Sequence, residues 1–268
     1  MSRAAIECRL CGGPAAYRFS KSVLGRYDAG YFQCPRCGLT QTEEPAWLEE
    51  AYASPIAAAD TGVLQRNLAT RRLVATFLHL AGIRGEGCLD YAGGYGLFTR
   101  LMRDAGFSFT WCDPYATNLF ARGFEWSPGL GAPRVVTAFE VLEHWTRPLE
   151  EFRRIAALGP EWIVTSTELH PGECPDPSWP YLVPETGQHV AFYRPGTLRL
   201  LAREAGYPHA RIGPAYQVFG RRGIPAAAWW LARRFGGALE PVVRRLRPSL
   251  TLADSERLRA AARGSNPP

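Results

Sequence analysis

Apolar residues recur along most of this chain with the period of either a helix or a strand, and the switches between the two outline its elements. Leu73, Val74, Phe77, Leu78 and Ala81 fall at helical spacing, and Gly82 follows as a stop. Cys88 to Tyr91 then reads as a short buried strand running into a glycine-rich turn. Leu97, Phe98, Leu101, Met102 and Ala105 return to helical spacing, closed by Gly106. FSFTWCDP reads as a second strand ended by Pro114, RVVTAFEV as a third and EWIVTST as a fourth. Pro148 opens a helix carrying Leu149, Phe152, Ile155 and Ala156, and Leu198, Leu201, Ala202 and Ala205 mark another, stopped by Gly206. Strands alternating with helices over residues 70–205 predict an α/β domain, Rossmann-like and doubly wound, with a mostly parallel sheet.

The flanks have a different texture. Residues 1–45 are rich in cysteine, glycine and turn formers, with few candidates for a core of their own. Residues 46–220 form the expected α/β domain and 221–268 a basic helical tail. Five prolines between His170 and Glu185 exclude a regular element there, so that segment reads as a loop, of the length used for lids and binding loops. The last fifty residues read as short helices broken at Gly236-Gly237 and Pro248, with a loose SNPP end.

Charge narrows the partners. The 268 residues carry a net charge of +6, but ten arginines against Glu240, Asp254 and Glu256 give residues 215–268 a charge of +7. The body before them sums to −1, a poor surface for nucleic acid. In the tail, Leu239, Val242, Val243 and Leu246 fall on one helical face, with Arg244, Arg245 and Arg247 around it and Trp229, Trp230 and Phe235 before it. Such a face packs on the domain or on a second subunit, or lies on anionic lipid as a peripheral membrane contact. No stretch of 18 apolar residues exists, and the first residues lack the apolar segment of a signal peptide.

Seven cysteines are an odd number, and four of them form two CxxC pairs, Cys8/Cys11 and Cys34/Cys37, 22 residues apart. Two such knuckles supply the four tetrahedral thiolates that Zn²⁺ prefers, and glycines follow each where tight turns need a permissive backbone. The pattern predicts a structural zinc ribbon with no open coordination position. It also places the protein in the cytoplasm, where thiols stay reduced.

The turn after the first strand reads Asp90-Tyr91-Ala92-Gly93-Gly94-Tyr95-Gly96, and Asp113 closes the next strand 23 residues after Asp90. Glycines let a backbone approach a ligand closely, and a carboxylate at a strand end accepts ribose hydroxyls. The turn lacks the GxGxxG of dinucleotide binding. It resembles the first motif of class I S-adenosylmethionine-dependent methyltransferases, an acid followed by GxGxG, with Ala92 in the first glycine's place. AFEVLEHWTRP resembles the fourth-motif region of the same superfamily, close to ubiquinone-type O-methyltransferases and many sugar and natural-product methyltransferases. Gly187-Gln188-His189-Val190-Ala191-Phe192-Tyr193 resembles the histidine segment ahead of the family's late helix.

The resemblance implies S-adenosylmethionine held by Asp90, Ala92, Gly94, Gly96, Asp113 and Glu140, and a small-molecule or glycan acceptor methylated in line. It implies His189, His144 and Glu143 as the residues beside the reaction, histidine being the natural base near neutrality. Some O-methyltransferases hold Mg²⁺ with Glu-x-x-Glu-His, and the matching positions are Glu140, Glu143 and His144. Polar groups before the first core helix often meet the cofactor's carboxylate, and Arg66 stands there. Two other classes stay open at this point: an NAD-dependent oxidoreductase, and a non-catalytic zinc-module protein with a degenerate methyltransferase body. Nothing in the sequence sets the acceptor or an oligomeric state.

Overall fold

The computed structural model describes residues 3–53, 60–83, 87–170 and 172–264. The expected loose end, Ser265 to Pro268, lies outside them, as does Pro171 of the proline-rich loop. The elements begin with β1 (Ile6–Glu7), β2 (Pro14–Val23), β3 (Tyr27–Gln33), β4 (Thr40–Thr42), α1 (Leu48–Ala51) and α2 (Val63–Leu80). Next come β5 (Cys88–Tyr91), α3 (Leu97–Asp104), β6 (Phe109–Cys112), β7 (Val135–Phe139), α4 (Pro148–Ala157) and β8 (Trp162–Ser166). The last are β9 (Ala191–Phe192), α5 (Pro195–Glu204), β10 (His209–Ile212), β11 (Tyr216–Gly220), α6 (Ala226–Leu246) and α7 (Thr251–Gly264). The chain divides into two compact units, Met1–Ala57 with Ala138–Ile224, and Ala58–Thr137 with Pro225–Pro268.

In the second unit β5 runs parallel to β6, with Asp90 opposite Trp111, and parallel to β7, with Asp90 opposite Thr137. The helical stripe predicted on α2 is buried through Leu73, Val74, Phe77 and Leu78, and the one on α3 through Phe98 and Met102. The expected break at Gly236-Gly237 is absent: α6 runs unbroken across it and across Pro241. Gly236 is there for close approach, since a Cβ on it would sit 3.2 Å from the Arg72 carbonyl oxygen of α2, while Gly237 and Pro241 face water. The break at Pro248 does occur, between α6 and α7. Several of the arginines behind the basic count are internal ties. Arg103 grips Asp254 of α7 through two bonds of 2.8 and 2.6 Å, and Arg247 donates to the carbonyls of Ile83 and Gly106.

In the first unit β8 and β11 are antiparallel, with Val164 opposite Val218, and β10 pairs antiparallel outside β11. Strand β7 passes from one unit into the other between Thr137 and Ala138. The sheet order is β10-β11-β8-β7-β5-β6, with antiparallel pairs β10–β11 and β11–β8 and parallel pairs β7–β5 and β5–β6, giving an α/β fold with a mixed sheet.

The N-terminal residues do contribute a core, against expectation. Strands β2 and β3 form a long hairpin in a second sheet, β1-β2-β3-β4-β9. Val23, Ala29 and Tyr31 of that hairpin are buried against Trp47, Ala51, Leu182 and Phe192. Half of those partners lie far along the chain, so no local pattern in residues 1–45 announces the core. Strand β4 pairs with β9, Thr40 opposite Phe192, which ties the cysteine segment to the residues that follow His189.

Candidate active site

The glycine turn is held in a shape that few residue types tolerate. Ala92, Gly94 and Gly96 all have φ in the left-handed region, at +55°, +54° and +83°. Gly93 lacks room for a side chain, since a Cβ would lie 2.6 Å from Asp90 Oδ2 and 2.8 Å from Trp111 Cδ1. Trp111 secures the turn from outside by donating its indole N–H to the Gly94 carbonyl at 2.9 Å. Ala92 carries strain that a glycine there would not, of order 1 kcal/mol for an L-residue in that region.

Beneath the turn Asp90 is buried and takes hydrogen bonds from the Thr99 and Thr137 hydroxyls, both at 3.0 Å. Burial pushes its pKa up to about 7; the two hydroxyls oppose the rise and the Asp113 charge adds to it. Asp113 is more occupied than a strand-end carboxylate waiting for a ligand. Its Oδ2 accepts from the Gly94 N–H at 2.8 Å, and its Oδ1 from the N–H groups of Tyr115 and Ala116 at 2.8 and 3.0 Å. A carboxylate has about four lone-pair sites, so one remains, on Oδ2.

In the other unit β7 ends at a second strained residue, Glu140, with φ +53°. Its N–H donates to Ser166 Oγ, and the Ser166 hydroxyl donates back to its carboxylate. Three residues on, Glu143 is fully enclosed. Tyr181 donates its hydroxyl to Glu143 Oε1 at 2.7 Å, and Oε2 is buried with no partner among the described residues. A buried carboxylate oxygen without a donor is costly, and its position marks where a ligand's donor is wanted.

His144 and His189 stand edge to face with ring centroids 5.0 Å apart, and Tyr181 lies 4.7 Å from His189 on the same measure. His189 Nδ1 meets the Tyr181 carbonyl at 2.7 Å. A carbonyl only accepts, so Nδ1 carries the proton and Nε2 is the ring's proton acceptor. His144 Nδ1 lies 2.9 Å from the Tyr52 hydroxyl and 3.1 Å from the Gln188 carbonyl. Burial, with the neighbouring His189, lowers its pKa to about 3, which keeps it neutral and makes it a weak base at neutral pH.

Ligand atoms of Glu143, His144 and His189 lie within 4.8 Å of one another, a set that leaves out Glu140. The Glu140–Glu143–His144 arrangement expected for Mg²⁺ is thus not the cluster that forms. Arg66 makes a two-point ion pair with Asp60.

The four paired cysteines converge: all four sulfurs lie within 4.8 Å of one another, with Cys8–Cys37 at 3.4 Å and Cys11–Cys34 at 3.5 Å. Tetrahedral ligands about 2.3 Å from Zn²⁺ stand roughly 3.8 Å apart, so the thiols are near the positions such an ion asks for. Each knuckle closes with a glycine at positive φ, Gly12 and Gly38, whose N–H donates to the first cysteine's carbonyl at 2.9 Å. The hydrogen bond between the Cys8 and Cys37 thiols draws the Cys8 pKa down to about 5 and raises that of Cys37.

Residues 64–208, more than half of the chain, match a family model described as a methyltransferase domain. The chain belongs to this methyltransferase family.

Among solved structures the methyltransferase is similar to magnesium protoporphyrin IX methyltransferase from Synechocystis PCC 6803 with bound S-adenosylhomocysteine. That match has 12% identity and a TM-score of 0.42, covering 65% of this chain and 94% of that one. Human N-acetylserotonin methyltransferase in complex with S-adenosylmethionine matches at 14% identity and 0.45, covering 66% of each chain. An O-methyltransferase family protein from Burkholderia thailandensis matches at 20% and 0.44, covering 67% of this chain and 68% of its own. No curated protein sequence matches.

All the expected cofactor and reaction residues fall inside the family match. Within the second unit the methyltransferase brings Asp90, Ala92, Gly94, Gly96 and Asp113 together. Within the first it joins Glu143, His144 and His189. Sequence reasoning missed Gly93, Thr99, Trp111 and Thr137 around the turn, and Tyr52, Tyr181 and Gln188 around the histidines. For Tyr181 the one signal was its place in the proline-rich loop.

Proposed function

We propose that this methyltransferase transfers a methyl group from S-adenosylmethionine to a small-molecule or glycan acceptor through an O–H or N–H group. The family match over residues 64–208 carries the reading, because it takes in both the Asp90–Gly96 turn and the Glu140–His189 residues. It also argues against the nicotinamide alternative.

S-Adenosylmethionine, when bound, would supply an electrophilic sulfonium methyl group, open to in-line attack at its carbon by an acceptor lone pair, with the neutral thioether of S-adenosylhomocysteine as the leaving group. Ala92, Gly94 and Gly96 hold it by backbone approach, with Asp90 bracing the turn and Glu140 completing the cofactor set. Asp113 uses its remaining lone-pair site for one ribose hydroxyl, the other three being occupied by N–H groups. A second polar hydrogen of the acceptor, beside the reacting group, donates to Glu143 Oε2, the enclosed oxygen that lacks a donor. His189 takes the departing proton at Nε2. His144, held neutral, orients the group beside it. Much of the rate comes from positioning, with one base adding on the order of 10²-fold. The four cysteines hold a structural Zn²⁺, which secures β4 and, through it, the β9 segment.

Hydrogen exchange read residue by residue, with and without S-adenosylhomocysteine, tests the cofactor assignment. Protection is expected at the amides of 92–96 and 113–116; protection confined to other segments rejects it.

A further inference from the structure

Helix α6 seats one face on α2 and leaves an unusual one outside. The seating residues are Ala228, Trp229, Ala232, Gly236, Glu240 and Val243, three or four apart from Trp229 onward. Trp229 meets Phe77 edge to face at 5.2 Å, and Gly236 lies against the Arg72 backbone, so the rotation of the helix is set. This corrects the apolar face expected at Leu239, Val242, Val243 and Leu246, of which only Val243 is buried.

The outer arc is apolar and cationic together. Trp230 is 60% exposed, Phe235 40%, Val242 50% and Leu246 66%, and Leu252 at the start of α7 is 78% exposed. On a regular helix Phe235, Val242 and Leu246 fall within about 40° of one another. Trp230, Arg234 and Arg245 share the neighbouring flank, and Arg233 and Arg244 are exposed beyond it. The one acid of α6, Glu240, is buried against Arg71 at 3.2 Å, with Arg244 at 3.8 Å. The exposed surface of α6 therefore carries four arginines and no carboxylate.

We propose that this face lies on an anionic phospholipid surface, with Phe235, Val242 and Leu246 entering the acyl boundary and Trp230, Arg234 and Arg245 at the headgroups. The charge argues against a second copy as the occupant, because a symmetric contact sets these arginines against their equivalents with no acid of the helix to answer them. An anionic lipid surface answers every one, and aromatic and aliphatic side chains beside arginines are what an interfacial helix presents. No described helix is long and apolar enough to cross a membrane, so the contact is along the surface. The inference is independent of which acceptor is methylated.

Full-length protein sedimented with phosphatidylcholine vesicles, with and without phosphatidylglycerol, provides the test. Binding is expected only with phosphatidylglycerol and should be reversed by salt. Arg234→Glu with Arg245→Glu, and separately Phe235→Ser with Leu246→Ser, should each weaken it at least tenfold. Unchanged thermal melts would show that these exposed substitutions leave the fold intact. Brominated lipid should quench tryptophan emission in the wild type and much less in Trp230→Phe. Absence of vesicle binding, equal binding to neutral vesicles, or indifference to the arginine reversals overturns the proposal. So does self-association in the ultracentrifuge that Phe235→Ser with Leu246→Ser disperses.

Discussion

The turn from Asp90 to Gly96 and the pocket around Glu143 are built in opposite ways. The turn is made by neighbours in sequence, and its information is backbone shape: three residues at positive φ and a fourth without room for a Cβ. The Glu143 pocket is made by side chains from distant segments, Tyr52, His144, Tyr181 and His189, none of which needs an unusual backbone angle. One region tolerates almost no change of residue size and the other almost no change of polarity. This suits the work proposed for each: the donor is one molecule that a fixed cradle can hold, whereas an acceptor is matched by a few polar atoms in an aromatic enclosure.

Breaking the cradle should have the largest effect. Gly96→Val forces a β-branched residue to φ +83° and sets its Cβ 2.5 Å from Asn118 Oδ1. We expect a loss of roughly 3 kcal/mol or more in denaturant unfolding, with S-adenosylhomocysteine affinity down more than about 100-fold. In the pocket, Glu143→Gln removes the acceptor's buried charged partner and should lower turnover of any acceptor that supports methyl transfer by about 10²-fold while leaving S-adenosylhomocysteine affinity unchanged. A variant that lost both together would erase the distinction between the two regions.

Asp90 gives a pH signature belonging to the cradle alone. Its pKa is raised from 3.8 to about 7 in the folded chain, so folding favours its protonated form. The stability it contributes is complete below about pH 4 and is lost as pH rises toward 7, with a slope of up to about 1.4 kcal/mol per pH unit. Chemical unfolding across that range should show wild type losing stability relative to Asp90→Asn as pH rises. Parallel curves would remove Asp90 from the account. The smallest effect should come from Ala92→Gly, which relieves the residue at φ +55° and should add ~0.5–1 kcal/mol of stability.

The same contrast explains what could be read from the residues alone. Strand β5, the turn and helix α3 stand where periodicity and glycines put them, since their determinants are contiguous, and Ala92 was visible as a departure from the expected glycine. Tyr181 was not legible as the partner of Glu143, because 38 residues separate them and a proline-rich loop has no period from which to infer direction. The N-terminal hairpin hid its core for a related reason: Leu182 and Phe192, which help to bury Tyr31, come from the far end of the same unit. In α6 the misreading was local. Gly236 resembles a helix breaker, yet it is there because Arg72's backbone leaves no room for a side chain.

Calorimetric titration of S-adenosylhomocysteine into the full-length protein addresses the shared premise most directly. The expected result is one equivalent bound per chain, weakened at least tenfold by Asp113→Ala and unaffected by Glu143→Gln. Absence of heat, or binding indifferent to Asp113, would contradict the assignment of the turn and Asp113 as the donor's cradle.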